Sequence, residues 1–306
     1  MVAYRVVRAA RGSAPSPSRT SEDVHIDLTI GGATPGSATR FPDGQGTVTA
    51  TPSVTAAGCP LTPADDRIVA RHSVHTSTAS FHLILIGPAA MTRRHIGEAL
   101  ADAVAELRAI DVTYSPHRPK SLVSLLRRGE ITPDSYPPLA DIVARCDAMR
   151  TVTDGWFDAW AVPGGFDPSG LLKGWAVERA AARLRAAGIT DYAVISGADV
   201  TVRGHAPCGG PWRIAVHDPY HPDAPPMTLT LTEGAIGTSG LAGRRGHVIN
   251  PRTGEAVDPT RAAIVIGPDL AIADAYATAL CAAGPDGLRW FPTVDGYRAL
   301  VDMPSR

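Results

Sequence analysis

Charge of either sign in excess is missing from this chain. Its 306 residues carry 29 Lys and Arg against 30 Asp and Glu, a formal charge of -1. That balance advertises neither a nucleic-acid groove nor attraction to an anionic membrane. Cysteine is scarce: Cys59, Cys146, Cys208 and Cys281 lie far apart with no CxxC pair. Such scatter argues against a thiolate metal cluster and a disulfide framework, and reduced thiols are expected. No apolar run approaches the roughly 20 residues that cross a bilayer. The opening MVAYRVVRAARGSAPSPSRT has no hydrophobic stretch of the kind a secretory signal needs. Ala56-Ala57-Gly58-Cys59 looks like a lipoprotein cleavage box, but the GTVTATPSVT ahead of it is too polar to insert. The expectation is a cytoplasmic protein without a membrane span. No internal repeat is visible either.

What is present is ordinary for a globular core, with a hydrophobic fraction of 44%. Up to about residue 66 the chain is rich in Gly, Ser, Thr, Pro and Ala with weak periodicity, as in a flexible extension. At Phe81 the texture changes. FHLILIG reads as a core strand, and HIGEALADAVAELRAID, His95 to Asp111, as an amphipathic helix. A polar loop follows, then a second helix in PPLADIVARCDAMRTVTDG and an aromatic loop from Gly155 to Asp167. Past Gly188 the pattern turns to strands: YAVISGADVTVRG holds two short β runs broken at Ser196-Gly197-Ala198-Asp199, and WRIAVHDP, MTLTLTEG, GAIGTSG and RAAIVIG follow. DLAIADAYATALCAAG is a late helix of small residues, and YRALVDM a closing strand. Helices early and strands late, without regular βαβ alternation, predict an α+β architecture.

Three segments carry residue types suited to chemistry. In GFDPSGLLKGWAVERAAARLRAA a turn at Gly165, Pro168, Ser169 and Gly170 feeds a long alanine-rich helix, with Lys173 on its first turn and Asp167 just ahead. Free backbone N–H groups at such a start, plus a mobile ammonium, suit an anion; the same residues equally make an ordinary turn and helix with a surface lysine. Asp274 and Thr278, four apart on the late helix, share one face and offer hard oxygen ligands of the kind Mg²⁺ takes. Asp and Thr on a helix are also common as capping or solvent-facing residues. GTSGLAGRRGHVINPRTGEAV supplies Thr238, Ser239, His247 and the phosphate-compatible Arg244, Arg245 and Arg252, or alternatively a solvated loop.

In order along roughly residues 74–290, these pieces resemble the ApbE family of FAD:protein FMN transferases. The match rests on the YSPHRPKSLVSLL loop of Tyr114 to Leu126, Phe157-Asp158, the D-x-x-G-x-x-K-G-W-A element of Asp167 to Ala176, and Ser196-Gly197-Ala198-Asp199. Pro211-Trp212, Thr238-Ser239-Gly240, H-V-I-N-P-R-T-G and the D-A-x-x-T of Asp274 to Thr278 complete it. The resemblance implies a single T-fold-like catalytic domain over 69–306, of mixed sheets flanked by helices, behind a disordered 1–68 extension. It implies Mg²⁺-dependent transfer of FMN from FAD to a Ser/Thr hydroxyl of a partner protein bearing a Ser/Thr-Gly-Ala-Thr-like motif, with AMP leaving.

Carried over residue by residue, the resemblance gives Gly170 (through its carbonyl), Asp274 and Thr278 as metal ligands. It gives Lys173, Asp274 and His247 as catalytic groups, with either of the last two as base. Thr76, His117, Trp156, Phe157, Asp158, Asp167, Lys173, Ser239 and Val248 would contact FAD. The chain departs from the family pattern at Thr76-Ser77-Thr78, where the family has Met-Gly-Thr, and at His117, where it has tyrosine. Arg127 stands for an asparagine and Ala198 for the second glycine of GGD. Those departures keep two alternatives open, a FAD pyrophosphatase yielding FMN and AMP, and a non-catalytic FAD-binding protein. The stretch DLTIGGAT, ending at Thr34, raises the further expectation that the chain could flavinylate itself.

Overall fold

The computed structural model describes residues 4–8, 67–88, 90–216, 227–240, 248–258, 261–291 and 296–302. Among these described residues, ten strands and five α-helices follow one another as β1 (Tyr4–Arg8), β2 (Ile68–His75), β3 (Ser80–Gly87), α1 (Arg93–Tyr114), α2 (Leu122–Arg127), α3 (Pro137–Val152) and α4 (Ser169–Ala186). Then come β4 (Asp191–Ser196), β5 (Asp199–Arg203), β6 (Trp212–Val216), β7 (Met227–Leu231), β8 (Glu233–Ser239), β9 (Ala263–Gly267), α5 (Leu270–Ala283) and β10 (Arg298–Asp302). The expected α+β order holds from β3 onward; β1 and β2 lie ahead of the change of texture at Phe81, where no strand was expected.

Eight strands form one sheet in the order β1-β10-β9-β8-β5-β4-β3-β2, and β6 pairs with β7 in a separate ribbon. Each described pairing is antiparallel. Alternation along β3 sends Phe81, Leu83 and Leu85 to the helical face and Ile84 and Ile86 to the other. The helical face packs on α1, α3, α4 and α5, while Trp212, Ile214 and Val216 of the ribbon cover Ile195, Val200 and Ile236 opposite. Both faces are therefore buried, which is why FHLILIG reads as an apolar run broken only at His82. Composition did not foresee β1. Its five residues, Tyr4 to Arg8, pair with β10 and close that edge of the sheet.

Local chemistry sets the helix ends. Thr92 and Ser121 cap α1 and α2 through the N–H groups of His95 and Ser124, and Asp269 caps α5 through that of Ile272. Gly188, at φ 76°, lets the chain leave α4 where the sequence predicts its stop. The start of α4 corrects the sequence reading. The helix begins at Ser169, so Gly170 lies within its first turn and Lys173 on the second.

α5 is the element that organises the site. Twelve of its 14 residues are buried, so it has no solvated face and must be met by backbone on more than one side. Glycines supply that approach. A Cβ at Gly174 of α4 would fall 2.5 Å from the Leu270 carbonyl oxygen, and one at Gly237 of β8 would fall 2.4 Å from the Asp274 nitrogen. α5 thus lies between α4 and the sheet, with its alanines as the contact surface.

Candidate functional site

The centre is a cluster of one half-buried ammonium and two buried carboxylates. Lys173 Nζ lies 2.5 Å from Asp199 Oδ2 and 3.8 Å from Asp274 Oδ1. Asp199, at the start of β5, is 0% exposed, and Asp274 is 1% exposed. Each carboxylate is fixed by the backbone of a neighbouring element. Asp199 Oδ1 accepts the Thr238 N–H at 2.7 Å and the Thr238 hydroxyl at 3.0 Å, and Asp274 Oδ2 accepts the Gly174 N–H at 3.2 Å. Burial pushes the Asp274 carboxyl well above its ordinary range; Lys173 pulls it down and Asp199 pushes it up again. Among the described residues one ammonium faces two buried acids, and burial disfavours charge on the second of them, Asp274.

Thr278 stands one turn along α5 from Asp274, and Gly170 faces it across the helix crossing. A Cβ on Gly170 would come within 3.0 Å of Thr278 Oγ1 and 3.2 Å of the Phe157 ring. The structure therefore brings together Gly170, Lys173, Asp274 and Thr278, singled out from stretches about a hundred residues apart.

Beside Lys173 a crevice is lined by Thr76, Thr78, Phe81, Asp111, Leu172 and Ala176. Asp111, 3% exposed, gathers its wall. Its carboxylate accepts the Ser77 hydroxyl (2.7 Å), the Thr78 N–H (3.0 Å) and hydroxyl (2.8 Å), and Arg118 Nε (2.6 Å). This pins the Thr76–Thr78 turn and the Tyr114–Leu126 loop to α1. Burial alone would raise the Asp111 carboxyl, yet the hydrogen bonds from Ser77, Arg118 and Thr78 win and hold it at about 2.

A carboxylate depressed on folding contributes stability above its unfolded pKa, near 3.8, and loses it as pH falls toward 2. With allowance for the half-exposed Arg118, the contribution at neutral pH is about 2 kcal/mol. Urea unfolding of Asp111→Asn should show that deficit at pH 7, narrowing between pH 4 and pH 2. A deficit that does not change with pH would remove the charge from this account.

Other predicted contacts are already engaged within the chain. The Thr76 hydroxyl donates to the Ala79 carbonyl and accepts the Ala79 N–H. His117 is exposed, and its N–H donates to the Ser115 hydroxyl at 3.2 Å. Asp167 Oδ1 accepts the Ser169 N–H (3.0 Å) and hydroxyl (2.5 Å), occupying one of the amides expected to meet an anion. Its Oδ2 lies 3.5 Å from Arg127, which also donates to the carbonyls of Pro163 and Gly164. Arg127, in the place of the family's asparagine, thus clamps the loop ahead of α4.

Phe157 and Trp156 are buried. Asp158 accepts the Trp160 N–H at 2.8 Å and pairs with Arg150 at 2.9 Å. Arg252 sits 4.0 Å over the Trp156 ring and bonds Asp154, so it closes a loop rather than standing open for phosphate. Ser239 and Val248 are buried on β8 and just past the 241–247 segment. His247, Arg244, Arg245 and Thr34 lie outside the described residues. Sequence reasoning missed Asp199 as a site residue. Its signal was an acid in the otherwise apolar stretch YAVISGADVTV, which needs a buried partner.

An antiparallel sheet with helices on one face, and a lysine held between two buried acids beneath a small-residue helix, defines an α+β protein with an oxygen-rich centre. Residues 162–301, which contain that centre, match the family model described as the ApbE family. The FAD:protein FMN transferase of Rhodobacter capsulatus is 34% identical over 144 residues, 44% of this chain and 27% of that protein. The FAD:protein FMN transferase of Vibrio cholerae is 28% identical over 240 residues, 72% of this chain and 68% of that protein. The chain thus spans only about a quarter of the first relative's length.

Among solved structures, the flavin transferase ApbE from Vibrio cholerae superposes with a TM-score of 0.62 at 18% identity, covering 78% of this chain and 98% of that one. The ApbE protein from Thermotoga maritima gives 0.62 at 21%, covering 76% and 94%. The fold is that of the ApbE proteins. No described helix is long and apolar enough to cross a membrane.

Proposed function

We propose that the chain transfers FMN from FAD to a Ser or Thr hydroxyl of a target protein, with Mg²⁺ required and AMP released. The observation that carries this reading is the Lys173–Asp199–Asp274 cluster, two buried acids to one ammonium among the described residues, adjoining Thr278 and Gly170. The donors fit a hard divalent cation: a desolvated carboxylate, a hydroxyl and a main-chain carbonyl, all oxygen. Gly170, Asp274 and Thr278 would hold Mg²⁺, whose chemistry is neutralisation of charge on the FAD diphosphate.

In the reaction the acceptor oxygen bonds to the FMN phosphorus, the bond from that phosphorus to the AMP phosphate breaks, and the hydroxyl proton passes to a base. Lys173 is 30% exposed, enough for its ammonium to meet diphosphate oxygens and stabilise charge developing there. Asp274 and His247 are the two candidates for base; a carboxylate occupied by a cation is the poorer one. Thr76, Thr78 and Phe81 beside Lys173 would form one wall for the substrate.

The second reading, a FAD pyrophosphatase, is favoured by Arg127, which closes the loop ahead of α4 where the family has an asparagine. Incubating the protein with FAD and Mg²⁺, with and without a peptide carrying Ser/Thr-Gly-Ala-Thr, separates the possibilities. Peptide-bound FMN supports the transferase. Free FMN with AMP replaces it by the hydrolase, and unchanged FAD leaves a binding protein.

A further inference from the structure

We infer that Asp199 is a positioning residue that keeps the Lys173 ammonium away from Asp274, leaving Asp274 available to a divalent cation. The inference rests on the transferase reading above and assigns a role to a residue outside its ligand set. Three observations carry it. Asp199 is fully buried, and Thr238 holds its Oδ1 through both N–H and hydroxyl, so its second oxygen has a fixed direction. That second oxygen meets Lys173 at 2.5 Å as an ion pair, and no aligned hydrogen-bond donor among the described residues reaches it. Asp274 is already 3.8 Å from the same ammonium. The lysine therefore stands between two competing carboxylates, nearer to the one anchored on the sheet.

Loss of the Asp199 charge removes the stronger attraction. An amide there would present N–H to the ammonium, or, flipped, to the Thr238 N–H, and one repulsion remains in either orientation. Lys173 would then close on Asp274, where a second positive charge competes directly with a cation for the same oxygens. Lys173 would also be drawn back from the crevice. The consequence falls on cation affinity and on turnover, while FAD contacts elsewhere are untouched.

The test is Asp199→Asn, read in two ways. First, the Mg²⁺ concentration giving half of the Mg²⁺-dependent rise in melting temperature with saturating FAD should increase by about tenfold, the scale on which outer partners of metal ligands act. Second, kcat for FAD cleavage should fall about 10- to 100-fold with KM for FAD nearly unchanged. If Asp199 acts only through Lys173, the Asn substitution should cost nothing further in a Lys173→Met background. An unchanged Mg²⁺ midpoint, or a full penalty persisting beside Lys173→Met, would overturn the inference. Should Asp199→Asn fail to fold, Thr238→Val removes one anchor of the carboxylate and should shift the same midpoint in the same direction; no shift there overturns it as well. A wild-type protein that neither cleaves FAD nor gains stability from FAD with Mg²⁺ is the separate outcome that ends the transferase reading itself.

Discussion

Asp274→Ala should abolish FAD turnover, by about 10³-fold or more in kcat/KM, while leaving the protein folded. The two halves of that expectation have different causes. Turnover goes because Asp274 is the carboxylate proposed to hold the cation against the diphosphate, and no other acid of the described cluster can take its place: Asp199 is already committed to Lys173 and Thr238. Stability survives because of the charge count. Removing one member of a balanced buried pair typically costs 3–5 kcal/mol. Here the starting state has two acids around one ammonium, and their mutual repulsion is part of what raises the Asp274 carboxyl. Deleting Asp274 leaves a one-to-one Lys173–Asp199 pair, so the melting temperature should stay near that of wild type. Asp274→Asn should behave alike in both respects. Full turnover in either variant would remove the cation from this site, and a collapsed melting temperature would show the acid to be a structural group.

Most of the element order was legible because it rests on local signals. β-branched and aliphatic runs marked the strands, Gly188 ended α4, and alanine spacing drew α4 and α5. Most pairing partners were not legible, since β3 pairs with β4 and β5 with β8 across long insertions that periodicity does not register. The site was readable in its parts and not in its wiring. Lys173 and Asp274 carried a motif, but that Asp199 stands closer to the lysine than Asp274 does is a fact of register between β5 and β8. The same applies to Asp111. A helix aspartate in AELRAIDVTY looks solvent-facing, and only the folded turn at Ser77 and Thr78 shows it as the hub of the crevice wall. Asp167 shows the converse: a residue read as a substrate contact also engages Ser169 and Arg127 within the chain.

One methyl group should distinguish the two kinds of glycine in this chain. Gly97→Ala, on the exposed side of α1 where a Cβ meets nothing within 4 Å, should raise stability by about 0.5–1 kcal/mol, since alanine loses less backbone entropy in a helix. Gly237→Ala should do the opposite, and strongly. Its Cβ would lie 2.4 Å from the Asp274 nitrogen and 2.5 Å from the Ala273 carbonyl carbon, contacts with backbone that no side-chain rotation relieves. Either α5 moves off the sheet or β8 bends. Overpacking of this kind costs about 3 kcal/mol, which in a protein of this size lowers the melting temperature by about 6–12 °C. Because the displaced backbone carries Asp274 itself, cleavage of FAD should fall together with stability, unlike in Asp274→Ala, where the two separate. Calorimetry of the two alanine variants beside wild type makes the comparison directly. A Gly237→Ala protein melting with wild type would mean that α5 does not lie against β8 at this distance, and the Lys173–Asp274 approach, which depends on the same packing, would lose its support.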